Sequence, residues 1–569
     1  MQKFKQIIAE KLRAVLLEKF QREDEVATLV GMLEYPPDET LGDLAFPCFR
    51  YAKLLRMAPP KIAAELAAAV SDPAISEVSA TGGYVNFKIA NTYLTDEVLT
   101  AVEEMKERYG SSNAGAGKTV VFDYSSPNIC KPFHIGHLGT TIIGHSLKLL
   151  HAFEGYHCIG VNHLGDWGTQ FGKQIVAFRL WGDRETVEKG GIDELVKLYV
   201  RFHEEAEKDP ALNDRAREEF HKLEEGDPEN IALRNWFVEV SMKEYDATYG
   251  QLGITFDSYK GESFYVDKVP EIVSMLRDKG LLKLDDGASI VDLSAYGMPP
   301  CLILKNDGTT IYPARDIAAA VYRKRTYDFD KCVYVTSSAQ SLHFAQWFKV
   351  VELMGFDWAG QLVHVPYGTV SIGGAKLATR TGNVVLLKDL FRQSIEKVRE
   401  IMDEKNPNLA AKDETAESVG VGAIVFNYLY NNRIKDINFT IESALSFDGS
   451  TGPYAQYTYA RTCSILEKAG DVDLTDSAGI TADEEADVLK VLAKFPEKVA
   501  QAVDEYEPST IARFVIELCT AFNRFYRACP ILSAQDARVK AFRVRLTEAA
   551  GTVLGTALHL ICLKTPEKI

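Results

Sequence analysis

The stretch from Thr119 to Val161 constrains this chain more than any other. Thr119-Val-Val-Phe-Asp-Tyr124 is a short apolar run of β-branched and aromatic residues, the composition of a strand buried on both faces. A loop rich in His, Pro and Gly follows, then helical spacing from about Leu138 to Glu154 and a second strand at His157–Val161. Strand, crossover helix and strand within roughly 40 residues make a parallel unit. Strands recur at Cys332–Thr336 and Leu362–Pro366, with a helix over about Gln340–Met354 between them. This alternation predicts an α/β domain with a doubly wound parallel sheet of Rossmann type, whose ligands sit outside the carboxyl ends of its strands.

A chain of 569 residues is too long for one core, and two to four domains are expected. Phe4, Ile8, Leu12, Val15 and Leu16 recur at helical spacing, and Pro59-Pro60 opens a second helix of about residues 60–70. Tyr84-Val-Asn-Phe-Lys-Ile89 alternates as a strand, a helix follows over about 92–108, and Gly110–Gly117 reads as a linker. The expected division is an N-terminal α/β domain over 1–112 and a catalytic domain over 118–408 carrying a mostly helical, charged insertion at about 183–300. From 409 to 569 the pattern is helical only, which predicts a bundle.

The net charge of −16 would by itself favour a small-molecule enzyme over a nucleic-acid binder. Its acidity is concentrated in stretches such as Glu204–Glu229 and Asp471–Asp487, so one face can still be basic. No apolar run approaches the ~20 residues of a membrane span. Lys3, Lys5, Glu10, Lys11 and Arg13 interrupt every apolar stretch at the start, unlike a signal peptide, so a cytoplasmic address is expected. Nine scattered cysteines without a C-x-x-C suggest reduced thiols rather than a disulfide framework or a cysteine zinc site.

Cys130-Lys-Pro-Phe-His-Ile-Gly-His137 carries the sharpest chemistry. It lies where the first sheet strand hands over to a helix N-terminus, a place that favours phosphate. Two imidazoles three residues apart can donate to phosphate oxygens, and Gly136 permits close approach of a nucleotide. Composition alone would produce an H-x-G-H roughly 0.015 times in this chain. A plain helix cap with two surface histidines is the bland alternative. A zinc site with His145 or His151 as third ligand finds no carboxylate or cysteine at ligand spacing.

The segment resembles the HIGH signature of class I aminoacyl-tRNA synthetases. Its flanks, Phe122-Asp-Tyr-Ser-Ser-Pro-Asn128 and Gly160-Val-Asn-His-Leu-Gly-Asp-Trp-Gly-Thr-Gln-Phe-Gly172, are similar to those of the arginyl-tRNA synthetase family. So are Asp307-Gly-Thr-Thr-Ile-Tyr-Pro-Ala-Arg-Asp316 and Phe447-Asp-Gly-Ser-Thr-Gly-Pro-Tyr-Ala-Gln-Tyr457, in the same order. The resemblance implies that the chain joins L-arginine to tRNA(Arg) using ATP with Mg2+, without a structural metal, as a monomer and away from membranes. It implies that Asp123, Tyr312 and Asp316 recognise the arginine side chain while Ser125, Asn128 and Gln340 hold its backbone groups. Two carboxylates and a phenol also suit a planar guanidinium on chemical grounds, although Asp316 taken alone could cap a helix and Tyr312 could be core. ATP would fall to His134, Gly136, His137, His163, Gly165, Asp166, Lys376, Thr379 and Arg380.

The second class I signature, a KMSKS loop, corresponds to Lys376-Leu-Ala-Thr-Arg-Thr-Gly-Asn383. Lys376 matches its first lysine, and Thr379 stands where the second would be. The resemblance assigns the missing charge to Lys131, giving a catalytic set of Lys131, His134, Gly136, His137 and Lys376. A further departure is Gly139, where the family often has arginine. Among the C-terminal aromatics, Tyr454, Tyr457 and Arg461 are the candidate tRNA contacts, because tyrosines interleaved with arginine can stack on unpaired bases; bundle core is the alternative for such tyrosines. A cysteine or glutamate synthetase, a catalytically silent tRNA-binding paralogue and a small nucleotidyltransferase are the rivals. Missing metal ligands, two acidic pocket residues, the intact H-x-G-H and the long helical C-terminus count against them in turn.

Overall fold

The alternation within Val120-Val121-Phe122 divides the interior of the catalytic region. In the computed structural model, which describes every residue except 307–310, 373–374, 377–384 and 475, Val120 and Phe122 enter one apolar core and Val121 another. Successive side chains on a strand point to opposite faces, so the sheet itself is the partition. Strand Thr119–Asp123 pairs in parallel with His157–Val161 on one side and Lys331–Ser337 on the other, and Leu362–Tyr367 completes the sheet beyond the latter. The chain runs outward in one direction through its first two strands and in the other through its last two. The order therefore reverses between Thr119–Asp123 and Lys331–Ser337, and a crevice opens there. Helix Ile135–Phe153 covers one face, and helices Tyr312–Tyr327 and Ser341–Leu353 contribute to the other.

Strands interrupt the helical pattern in two places. The insertion, expected to be mostly helical, is not helical throughout: after helix Val269–Asp278, strands Leu282–Asp285 and Ala288–Val291 join Cys301–Leu304, just beyond the insertion, in an antiparallel sheet. Its first turn is Asp286-Gly287, with φ of 45° and 79°, the paired positive values that a two-residue hairpin demands. Nor is everything after 409 helical, because Ile437–Phe439 pairs in parallel with Val370–Ile372. Sheet pairing thus ties the segment after helix Lys412–Leu429 to the region just beyond the fourth sheet strand.

The N-terminal region packs helix Gln2–Phe20 and others beside an antiparallel sheet ordered Leu44–Pro47, Tyr84–Ile89, Ile75–Thr81. Sequence patterning identified only the middle strand. Ile75–Thr81 is mostly solvent-facing and Leu44–Pro47 is four residues long, so neither alternates legibly. The 110–117 stretch is a packed connection rather than a free tether. Tyr109 is buried and its hydroxyl donates to Leu492 O at 3.2 Å, while Gly110, at φ 91°, lies where a Cβ would strike the Phe495 ring. Lys5 and Tyr35 both reach Glu497 at 2.7 Å, Asp43 meets Lys490 at 2.9 Å and Glu103 pairs with Arg545. The N-terminal region is thereby docked on the C-terminal bundle.

Candidate active site

The two histidines build the helix start themselves. His134 is the N-cap of Ile135–Phe153, and its Nδ1 accepts from Gly136 N at 3.1 Å. His137 Nδ1 accepts in turn from His134 N at 3.2 Å, and the rings stack with centroids 3.8 Å apart. The spacing of three is that of a capping box written in imidazoles. Since both Nδ1 atoms accept, both Nε2 atoms carry the hydrogen and are free to donate. Burial, and then the charge of Lys131, lowers the His134 pKa; burial, His134 and Lys131 push His137 down to about 3. At neutral pH the pair therefore offers neutral N–H donors at a helix N-terminus. Gly136 is needed because a Cβ there would stand 2.8 Å from the His134 ring, a reason internal to the cap. Lys131 is exposed beside them, and partial desolvation lowers its pKa. Gly139 faces the buried Tyr428, whose hydroxyl fills the space any side chain there would take.

The loop leading into this cap holds three non-glycine residues at positive φ: Ser125 (72°), Ser126 (49°) and Cys130 (62°). Such backbone needs partners to hold it. Ser125 N donates to Thr140 Oγ1 at 3.1 Å, Ser126 N to Asn162 Oδ1 at 3.1 Å and Cys130 N to Ser241 Oγ at 3.1 Å. The Ser125 hydroxyl is itself buried and shared with Thr141 and Tyr249 at 2.8 and 2.7 Å, so it fixes the loop and is not open to a ligand. Asn128 is exposed at the crevice mouth. Gly165 leaves room for its amide, since a Cβ at Gly165 would overlap it.

Asp123 ends its strand at the reversal point, as expected, but it is not a free carboxylate. Its Oδ2 lies 2.8 Å from Nη1 of Arg323 and its Oδ1 accepts from the Ser126 hydroxyl at 2.9 Å. Asp316, on helix Tyr312–Tyr327, meets His343 Nε2 at 2.7 Å. Tyr312 is 63% exposed at the start of that helix, with the Arg315 guanidinium 5.0 Å from its ring centroid. Gln340 is exposed beside the start of Ser341–Leu353. Glu262, which sequence reading missed, is mostly buried in the same neighbourhood. Desolvation raises its pKa to about 7, although Arg315, 3.7 Å away, pulls it down; Asp316 and Asp166 raise it further.

The other candidate residues have contacts of their own within the fold. Asp166 turns its carboxylate inward, taking hydrogen bonds from Ser263 N and Oγ at 2.8 and 2.7 Å and pairing with Arg234; its oxygens are committed to the fold. His163 stacks on Tyr265 and accepts from Arg323 through Nδ1. Thr379 and Arg380 lie outside the described residues. The backbone of Lys376 pairs with Ser371. On helix Gly452–Ala469, Arg461 lies between the rings of Tyr457 and Tyr526, 4.9 and 5.0 Å from their centroids, and both rings are exposed. Tyr454 is held from within by Asn523 at 3.0 Å.

A two-histidine helix cap at the reversal point of a parallel sheet fits the class I aminoacyl-tRNA synthetase resemblance read from the sequence. Comparison with known proteins narrows it. Residues 98–441 match the model for the class I (R) tRNA synthetase catalytic domain, 455–569 that for the DALR anticodon binding domain and 2–89 that for the arginyl tRNA synthetase N-terminal domain. The arginine--tRNA ligase of Clostridium botulinum is 49% identical over 567 residues, and that of Clostridioides difficile 48% over 573, each covering 100% of both chains. The solved arginyl-tRNA synthetase of Thermus thermophilus superposes with a TM-score of 0.82 at 25% identity, covering 98% of this chain and 99% of that one. The chain belongs to the arginyl-tRNA synthetase family.

Proposed function

We propose that the protein attaches L-arginine to tRNA(Arg) through an arginyl-adenylate. The observation carrying this reading is that Asp123 and Asp316 both lie within electrostatic reach of His163, and Glu262 within that of Asp316, at the sheet edge from which the two-histidine cap rises. A carboxylate oxygen of arginine attacks the α-phosphorus of magnesium-bound ATP and pyrophosphate leaves. A terminal ribose hydroxyl of the tRNA then attacks the arginyl carbonyl carbon and AMP leaves. His134 and His137 donate through Nε2 to the phosphate, where negative charge is redistributed in the transition state, and Lys131 and Lys376 stabilise the departing pyrophosphate. The chemistry is positioning and charge stabilisation, and no side-chain nucleophile is required.

Asp316 is the principal guanidinium acceptor in this reading, Tyr312 and Glu262 flank it, and Asp123 contributes a fixed charge. Asn128 and Gln340 hold the amino acid's backbone groups. Rejection of analogues lacking the guanidinium follows from leaving these polar groups unpaired. The N-terminal region, about 1–112, takes the tRNA elbow and the bundle from about 409 takes the anticodon loop, with Tyr457, Arg461 and Tyr526 as a stacking surface. The enzyme is read as a cytoplasmic monomer. A charging assay with total tRNA and each amino acid separately tests the proposal: arginine is charged and lysine and citrulline are not. Charging of another amino acid in preference to arginine overturns it.

A further inference from the structure

Arg323 is 1% exposed, among the largest side chains wholly enclosed in the protein. It cannot touch a substrate, yet its two arms end on Asp123, which the reading above places beside the guanidinium as a fixed charge, and on His163, which the family resemblance gives to ATP. Nη1 lies 2.8 Å from Asp123 Oδ2 and Nη2 lies 3.3 Å from His163 Nδ1. The group sits 5.5 Å from the centroid of the Tyr334 ring, on the strand across the reversal point from Asp123. Neither its Nε nor its Nη1 meets an acceptor in hydrogen-bond geometry, so Nη1 holds Asp123 as an ion pair and burying the cation is not repaid by full satisfaction. A well-packed apolar side chain would serve the core at least as well, which directs attention to what the two arms hold.

On the amino-acid side, Arg323 pairs with one oxygen of Asp123 as an ion and the Ser126 hydroxyl donates to the other, which restrains rotation of the carboxylate. On the nucleotide side, a guanidinium can only donate, so His163 Nδ1 must be the acceptor and Nε2 must carry the hydrogen. The His163 ring, packed on Tyr265 with centroids 5.4 Å apart, is left with one N–H donor for a ligand. A planar fork can hold two acceptors in one fixed geometry, whereas a single ammonium cannot span both in the same way. Arg323 follows Asp316 by seven residues, two helical turns, so one face of Tyr312–Tyr327 carries both a proposed substrate carboxylate and this clamp.

We propose that Arg323 is a positioning residue that sets the arginine side and the ATP side of the crevice together, through Asp123 and His163; this rests on the assignment of those two residues to substrate contacts. The test is steady-state charging kinetics of the full-length enzyme, with KM measured separately for arginine and ATP. Arg323→Met raises the arginine KM by about tenfold or more and the ATP KM by about threefold or more. Arg323→Lys keeps a cation beside Asp123 and returns the arginine KM to within about threefold of the parent, while the ATP KM stays raised. This split is one that general loosening of the fold does not produce. Combining Arg323→Met with Asp123→Asn gives less than the product of the single arginine-side losses, because the two act through one contact.

A folded Arg323→Met enzyme with both KM values within about twofold of the parent overturns the proposal, as does multiplicative behaviour in the combined variant. If Arg323→Met does not fold, Arg323→Lys decides alone: a raised ATP KM with a near-parental arginine KM supports the proposal, and any other pattern refutes it. Asp316→Asn serves as the control on the underlying reading. If it binds arginine as the parent does, the pocket assignment fails, whatever the Arg323 variants do.

Discussion

Asp316→Asn is the cleanest perturbation of the proposed amino-acid pocket. Asparagine keeps the shape and one acceptor, and removes the charge that a guanidinium pairs with. Its partner His343 can remain hydrogen-bonded to the amide oxygen, so the fold around helix Tyr312–Tyr327 is left intact. Asp123→Asn would instead strand the buried Arg323. Breaking a fully buried charge pair costs about 3–5 kcal/mol. The Asp316 side chain is 27% exposed and water screens part of that, so a loss of about 2–3 kcal/mol is expected for bound arginine. At 1.4 kcal/mol per factor of ten, this is a rise of roughly 30- to 150-fold in the arginine KM, with the ATP KM little changed. The assay is charging of tRNA over a range of arginine concentrations at saturating ATP. An arginine KM within about threefold of the parent would refute the reasoning and remove Asp316 from the pocket.

Lys131→Ala should slow the activation step by about tenfold or more while arginine binding is retained, the pattern of a transition-state contact; an unchanged rate of pyrophosphate exchange with tRNA present would show that Lys131 does not replace the missing loop lysine. Glu262, with its pKa raised to about 7 by burial, is largely neutral below that pH and charged above it, so the arginine KM should fall as pH rises through about 7. Glu262→Gln should flatten that dependence, and the same slope in the variant would assign it to another group. Arg315, Tyr312, Asp316 and Asp166 face Glu262 and are unaltered by the substitution. The same raised value makes Glu262 oppose folding once ionised, so its contribution to stability is full below about pH 4.5 and is lost as pH rises through about 7. Deleting residues 1–116 should lower the melting temperature as well as weaken tRNA binding. The cut uncovers Leu492 and Phe495 and unpairs Glu497 and Arg545; an unchanged melting temperature would mean that this docking is energetically idle.

The catalytic sheet was legible because Val120-Val121-Phe122 and its counterparts are buried on both faces and bounded by helical spacing. The H-x-G-H spacing was legible because a cap has a fixed geometry, so a local motif fixed a local structure. Hydrogen bonding beyond the motif was not. That Ser125 and Asp166 turn inward depends on Tyr249, Arg234 and Ser263, far away in the chain, and nothing at positions 125 or 166 announces it. Glu262 was missed for the same reason, since no spacing links it to Asp316. Two misses had signals: Asp286-Gly287 between alternating residues marks a hairpin, and the seven-residue step from Asp316 to Arg323 marks one helix face. Strand Ile437–Phe439 was illegible because three residues paired to a distant partner carry no pattern of their own.

Two proposed pockets share one crevice at the carboxyl edge of the sheet, one for the guanidinium and one donating hydrogen bonds to phosphate. A structure of the full chain with a non-hydrolysable arginyl-adenylate analogue measures this directly. The account predicts the guanidinium within hydrogen-bond distance of Asp316, with Tyr312 and Glu262 beside it, and the adenylate phosphate on the Nε2 side of His134 and His137. A guanidinium bound elsewhere, with Asp316 still closed on His343, would contradict it.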